Sequence, residues 1–163
     1  MQQVIIFTAQ YVFALVILGL ASAWILTKRE QKVQFIVTTL LAGGIAFVLS
    51  RIAAAMYFDP RPFVTLHVAP LIAHAADNGF PSDHALLTGT LTAVAYFYNK
   101  KIAVIMTLLT IAVGAARVLA NVHTPLDILA GWSLGFIGAF IGYVATRYII
   151  RIYQQRKMDT EAS

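Results

Sequence analysis

The residues best equipped for chemistry in this chain fall in three short stretches: Asp59-Pro60-Arg61-Pro62, Phe80-Pro81-Ser82-Asp83-His84, and a segment from Arg117 through His123 to Asp127. In the third, Asp127 lies four residues after His123. It can reach back to one ring nitrogen, fix the tautomer and leave the other nitrogen nucleophilic, as an acid does in hydrolytic triads. In the second, Ser82 stands directly before an apolar run as the N-cap of a helix, where free backbone N–H groups and the helix dipole make an anion site. His84 would sit beside that anion. In the first, two prolines stiffen the chain around Arg61, and a guanidinium matches phosphate oxygens and keeps its charge when partly buried. Two histidines with separable roles, several arginines and a helix N-terminus at one level are the parts needed to attack phosphorus and expel an alkoxide or a phosphate.

Each piece also has an ordinary reading. Pro-Ser-Asp starts many helices, and a lone arginine in a loop is commonly a solvated charge. Thr124, Pro125 and Asp127 fit the N-cap, the first helical position and the third position of a capping box, so Asp127 can serve the helix, the histidine or both. His67 and His74, seven residues apart around Pro70, read as loop or rim residues. The stretch His74-Ala-Ala-Asp77-Asn78 is the one placed to help bind a second phosphate. Neither zinc-ligand spacing nor a carboxylate cluster for a hard cation is visible. There is no cysteine, which excludes disulfides and thiolate chemistry. No metal and no cofactor are expected.

The elements that must hold these residues are apolar. Hydrophobic residues make up 60% of the chain and charged ones 12%, with a mean hydropathy of +0.77, against roughly a quarter charged in soluble domains. Apolar runs cover 4–27, 33–56, 85–98, 102–120 and 125–150, most of them near the roughly 20 residues that span a bilayer. Without a charged n-region or a small-residue cleavage site ahead of it, the first run reads as a retained helix. The expectation is an all-α integral membrane bundle of about five transmembrane helices, forming one domain over residues 1–163. An outward-facing active-site loop occupies 57–83, and a polar, frayed cytoplasmic tail begins at about Gln154.

Charge decides orientation. Nine of the twelve basic residues sit in the loops and tail of one side (Lys28, Arg29 and Lys32; Lys100 and Lys101; Arg147, Arg151, Arg156 and Lys157), which the positive-inside rule makes cytoplasmic. This distribution points to a bilayer rather than nucleic acid as the partner of the net charge of +5. The other three basic residues, Arg51, Arg61 and Arg117, share the outer side with all four histidines. Arg51 and Arg117 lie inside apolar runs, where an ionisable group is costly and usually retained for function. The run 85–98 would measure only about 21 Å against a hydrocarbon core of about 30 Å. Ser82 and His84 should therefore begin below the outer surface. This predicts a recessed pocket bounded by Arg61, Ser82, His84, Arg117 and His123, reachable sideways by a lipid.

These motifs, in this order and spacing, resemble those of the type 2 phosphatidic acid phosphatase superfamily. Arg61-Pro62 matches the end of its first motif, Pro81-Ser82-Asp83-His84 resembles the usual Pro-Ser-Gly-His, and Arg117, His123 and Asp127 match the third. Within it, 57–63 and 74–84 look like the bacterial undecaprenyl-diphosphatases associated with bacitracin resistance. The resemblance implies a metal-independent phosphatase of the bacterial cytoplasmic membrane with its site facing outward. His123 would attack phosphorus and form a phosphohistidine, Asp127 would orient it and His84 would protonate the leaving group. Arg61, Arg117 and Ser82 would hold the phosphate of a polyprenyl diphosphate lipid, with no obligate protein partner. Three positions depart from the family. Ala54 stands where a lysine is usual, and Arg51, on nearly the same helical face, would replace it as a phosphate-binding group. Asp83 replaces the glycine, and Ala116 a serine.

A phosphatidylglycerophosphate or phosphatidate phosphatase would need the same machinery. A small anion transporter lined by Arg51 and Arg117 would instead need polar residues through the whole depth of the membrane, whereas these stop near the outer third.

Overall fold

A long apolar run removed from water can satisfy its backbone only by closing hydrogen bonds within itself, which makes it a helix. The computed structural model describes residues 1–162, with side chains through residue 160. Its helices are α1 (Gln2–Leu26), α2 (Lys32–Met56), the short α3 (Pro62–Thr65), α4 (Asp83–Tyr98), α5 (Lys100–Leu119) and α6 (Pro125–Ala162), with a 3₁₀ turn at Arg29–Gln31 ahead of α2. Four of them, α1, α2, α5 and α6, are long and apolar enough to cross a membrane. The fifth apolar run is α4, whose 16 residues reach about 24 Å.

Packing is inverted relative to a soluble domain. Large apolar side chains such as Leu18, Leu40, Leu108 and Phe136 point outward, while the interior is largely alanine, valine and threonine. This is how helices associate in lipid, where small residues let backbones approach and the hydrophobic effect between helices is missing. The short α4 lies at the centre and packs on α1, α2, α5 and α6. Glycines on α6 make this possible. A Cβ on Gly131 would lie 2.8 Å from the Ser82 carbonyl oxygen, and one on Gly135 2.8 Å from the Leu86 carbonyl oxygen, both on the α4 side. One turn further, Gly138 and Gly142 do the same against Ala46 and Ala42 of α2.

A helix that stops short leaves a hollow, and the loop 57–83 folds into it. Ile72, Leu71 and Phe63 of the loop pack with Ala9, Ala116, Ala120 and Val122 at the same end of α1 and α5. The Phe63 N–H donates to the Asn121 carbonyl at 3.0 Å and the Leu71 N–H to the Ala120 carbonyl at 3.1 Å. At the opposite end Asn99 alone separates α4 from α5, its side chain accepting from the Ile102 N–H at 3.3 Å. There Lys32 lies over Trp24 and Lys100 over Tyr96, the pairing expected where a helix leaves lipid.

The segment from Gln154, expected as a frayed tail, instead continues α6 as helix to Ala162. Its glutamines, arginine, lysine and methionine are strong helix formers that extend a helix already nucleated in the bundle.

Candidate active site

The turn between α5 and α6 sets the position of His123. Asn121 adopts φ 60 there, a left-handed conformation that asparagine tolerates better than most residues, and the chain reverses within four residues. The predicted capping box forms: the Asp127 N–H donates to Thr124 Oγ1 at 3.2 Å and the Thr124 N–H to Asp127 Oδ2 at 2.9 Å. The same Oδ2 lies 3.2 Å from His123 Nδ1. One buried carboxylate therefore caps a helix and orients an imidazole. His123 and Asp127 are 3% and 0% exposed, so neither can exchange its partner for water.

The other nitrogen of His123 faces a cavity of about 340 Å³ lined by Arg51, Ala54, Arg61, His74, Asp77, Asn78, Phe80, Pro81, Asp83, His84, Arg117 and His123. His123 Nε2 lies 3.4 Å from Arg61 Nη1 and 3.4 Å from Arg117 Nη2. Both guanidiniums are held from behind. Arg61 donates from Nε to Asp77 Oδ1 at 2.7 Å and from Nη1 to the Val122 carbonyl at 2.8 Å. Arg117 donates to the Ala9 carbonyl of α1 at 3.3 Å and to His74 Nε2 at 3.2 Å. Two forks fixed on either side of one imidazole nitrogen form a cradle for a tetrahedral anion.

Electrostatics favours neutral rings at His123 and His74. Burial pushes His123 below its ordinary 6.5, and the Arg117 and Arg61 charges push the same way, against the opposing effect of its hydrogen bond to Asp127. His74 is lowered by its burial, then by Arg61 and Arg117, which fits Nε2 accepting from Arg117. The Asp77 carboxyl is held below its usual range chiefly by its hydrogen bond from Arg61. A neutral His123 whose Nδ1–H faces Asp127 presents a lone pair at Nε2.

Of the five residues expected around the pocket, Arg61, His84, Arg117 and His123 line it. His84 is set edge-on against Phe13 of α1, with ring centroids 5.1 Å apart. Ser82 is fully buried next to them, its N–H donating to the Asp127 carbonyl at 3.1 Å. Ser82 is the N-cap of α4, yet its hydroxyl makes no capping bond. Its Oγ and Arg117 Nε are buried polar atoms without a partner among the described residues, both suited to an anion. Arg51 also lines the cavity, one turn from Ala54 on α2, and its partner is Asp83 at 2.7 Å. The carboxylate of Asp59 accepts from Thr124 Oγ1 at 2.9 Å.

Sequence reasoning undervalued His74, which reaches the cavity, while His67 stays exposed outside it. The bracing part of Asn78 was not foreseen: its backbone carbonyl accepts from Arg61 Nη2 at 3.3 Å. Asn78 Oδ1 accepts from the N–H groups of Asp59 and Phe80, and its Nδ2 donates to the carbonyls of Ala54 and Tyr57 at the end of α2. Gly79 follows, and a Cβ there would lie 2.9 Å from Asp127 Oδ2 and 3.2 Å from the Asp59 carbonyl. The signal available was the Asn-Gly pair itself, a turn signature. Gly79→Ala should lower kcat about tenfold to a hundredfold, because a small displacement of Asp127 misaligns His123. Unchanged kcat in a well-folded variant would contradict this placement.

Comparison with known proteins identifies the family. Residues 31–151 match the PAP2 superfamily. The chain is 34% identical over 146 residues to "Bacitracin transport permease protein BcrC" of Bacillus licheniformis, covering 88% of this chain and 71% of that protein. It is 28% identical over 166 residues to "Undecaprenyl-diphosphatase BcrC" of Bacillus subtilis (strain 168), covering 94% and 83%. Among solved structures, Aquifex aeolicus LpxE superposes with a TM-score of 0.64 at 26% identity, over 86% of this chain and 81% of that one. The first transmembrane PAP2 type phosphatidylglycerolphosphate phosphatase from Bacillus subtilis shares the fold, with a TM-score of 0.62 at 23% identity over 90% and 75%. Buried histidine, aspartate and paired arginines at one end of an apolar bundle thus accompany a family match over most of the chain: this protein belongs to the PAP2 superfamily and is a multi-pass membrane lipid phosphatase.

Proposed function

We propose that the protein hydrolyses undecaprenyl diphosphate, or a closely similar polyprenyl diphosphate, to the monophosphate and inorganic phosphate. The observation that carries the mechanism is His123, with Nδ1 on buried Asp127 and Nε2 between Arg61 and Arg117. The terminal phosphoryl group lies across the two guanidiniums, with Ser82 Oγ as a further donor. His123 Nε2 attacks its phosphorus, the bond to the bridging oxygen breaks, and His84 gives a proton to the departing lipid monophosphate. Asp127 balances the positive charge that the imidazole acquires. A water then gives its proton to His84 and attacks the phosphohistidine, releasing orthophosphate and restoring His123. The positive-inside distribution of lysine and arginine orients this end of the bundle outward from the bacterial cytoplasmic membrane, which suits recycling of a lipid carrier used in wall synthesis.

The polyprenyl substrate rests on the 57–63 and 74–84 resemblance and on the names of the BcrC relatives. One of those names denotes a permease. Against transport, the buried ionisable side chains among the described residues, Arg61, Arg117, His123 and Asp127, belong to the cavity end of the bundle. Purified protein in detergent with EDTA should release phosphate from undecaprenyl diphosphate with a kcat/KM at least about tenfold above that for phosphatidate or phosphatidylglycerophosphate. Preference for a glycerolipid, or dependence on a divalent cation, would overturn this reading.

Protonation of His123 removes its lone pair. Because its value is lowered from 6.5, the neutral form persists as pH falls until below that value. The acid limb of kcat/KM, which reports the free enzyme, should therefore lie below pH 6.5. An acid limb above pH 7 would mean that His123 is not held neutral by burial.

A further inference from the structure

The Arg51–Asp83 pair stands where two hollows meet. One is the polar cavity; the other is a groove of about 350 Å³ between α2 and α4, lined by Gly43 and Phe47 on one side and Leu87 and Leu91 on the other. Arg51 and Asp83 line both. The pair joins the two helices at 2.7 Å with side chains 48% and 74% exposed, so it can reorganise without unpacking the core. The other polar and ring partners of Arg51 among the described residues are on its own helix, Ser50 Oγ at 3.3 Å and the Phe47 ring. Asp83 sits in the first turn of α4, where the helix dipole supports a carboxylate even when its partner leaves. The groove is open at Gly43, where an added Cβ would meet nothing within 4 Å.

Resting on the polyprenyl diphosphate reading, we propose that Arg51 and Asp83 select diphosphate over monophosphate lipids: the phosphate that stays with the lipid draws Arg51 from Asp83, while the first part of the chain lies in the α2/α4 groove. The order of groups along the substrate matches the order along the protein. The terminal phosphoryl group is at His123, the chain-proximal phosphate at Arg51, and the hydrocarbon lies beyond it between Phe47 and Leu87. A monophosphate lipid places an uncharged ester at the junction. It leaves Arg51 on Asp83 and gains nothing from it.

The test is kcat/KM for a long-chain isoprenyl diphosphate, a short-chain isoprenyl diphosphate and phosphatidate, measured on wild type, Arg51→Gln, Asp83→Asn and Gly43→Leu in detergent. Arg51→Gln should reduce the ratio of diphosphate to monophosphate turnover about tenfold or more, the scale of a charge-assisted hydrogen bond. Asp83→Asn frees Arg51 and should lower KM for the diphosphates severalfold. Gly43→Leu should reduce the ratio of long-chain to short-chain turnover about fivefold, since its Cβ enters open space and the rest of the side chain occupies the groove. Arg51→Gln acting equally on both headgroups, or Gly43→Leu acting equally on both chain lengths, would overturn the proposal. Loss of the polyprenyl reading itself shows separately, as a wild-type enzyme that prefers phosphatidate.

Discussion

Replacing His123 by alanine is expected to lower turnover by at least about 10⁴-fold, the scale on which removal of a nucleophile acts in enzymes that use covalent intermediates. Neither of the other two histidines lining the cavity is placed to take over. His84 is fixed against Phe13, and His74 is engaged with Arg117 through Nε2. The fold should survive, because Asp127 Oδ2 keeps the Thr124 N–H and the Asp127 N–H keeps Thr124 Oγ1. The variant should therefore insert, purify and melt like the parent within a few degrees. Residual activity above about 1% of wild type in that well-folded variant would remove His123 from the nucleophile's role.

Asp127 supports a second large effect, and its two functions can be separated. The same Oδ2 accepts from the Thr124 N–H and faces His123 Nδ1, so the carbonyl oxygen of an asparagine can take over both hydrogen bonds while the charge is lost. Asp127→Asn should then melt near wild type but lose about 10² to 10⁴-fold in kcat, because an amide cannot balance the charge on the imidazole as phosphorus is attacked. Asp127→Ala also loses the acceptor for the Thr124 N–H, and should add about 1 kcal/mol of destabilisation. An Asp127→Asn enzyme indistinguishable from wild type would leave Asp127 with the cap alone.

The parts of the candidate site were legible because each is a short contiguous stretch with its own local signature. His123, Thr124 and Asp127 declare a capping box and a tethered imidazole together, since spacing along one turn fixes both. The brevity of the run 85–98 likewise announced that something must cover its end. That α4 would be the central helix was not legible, because centrality depends on Gly131, Gly135, Gly138 and Gly142 meeting partners on two other helices. The same limit explains His74, Asn78 and Gly79. Their roles arise when loop 57–83 crosses the ends of α2, α5 and α6, and no periodicity within the loop encodes that crossing. Arg51 marks the boundary between the two cases. Its depth in α2 followed from counting residues, but its partner Asp83, thirty-two residues away, depends on how α2 and α4 face each other.

Phosphoryl transfer through His123 is the central step. It is tested most directly by mixing the purified enzyme with undecaprenyl diphosphate labelled in the terminal phosphate, quenching in alkali within the first turnover, and mapping the labelled peptide. Alkali-stable, acid-labile label is expected on His123, absent from His123→Ala and formed more slowly in Asp127→Asn. Turnover without covalent label, or label on any other residue, would contradict it.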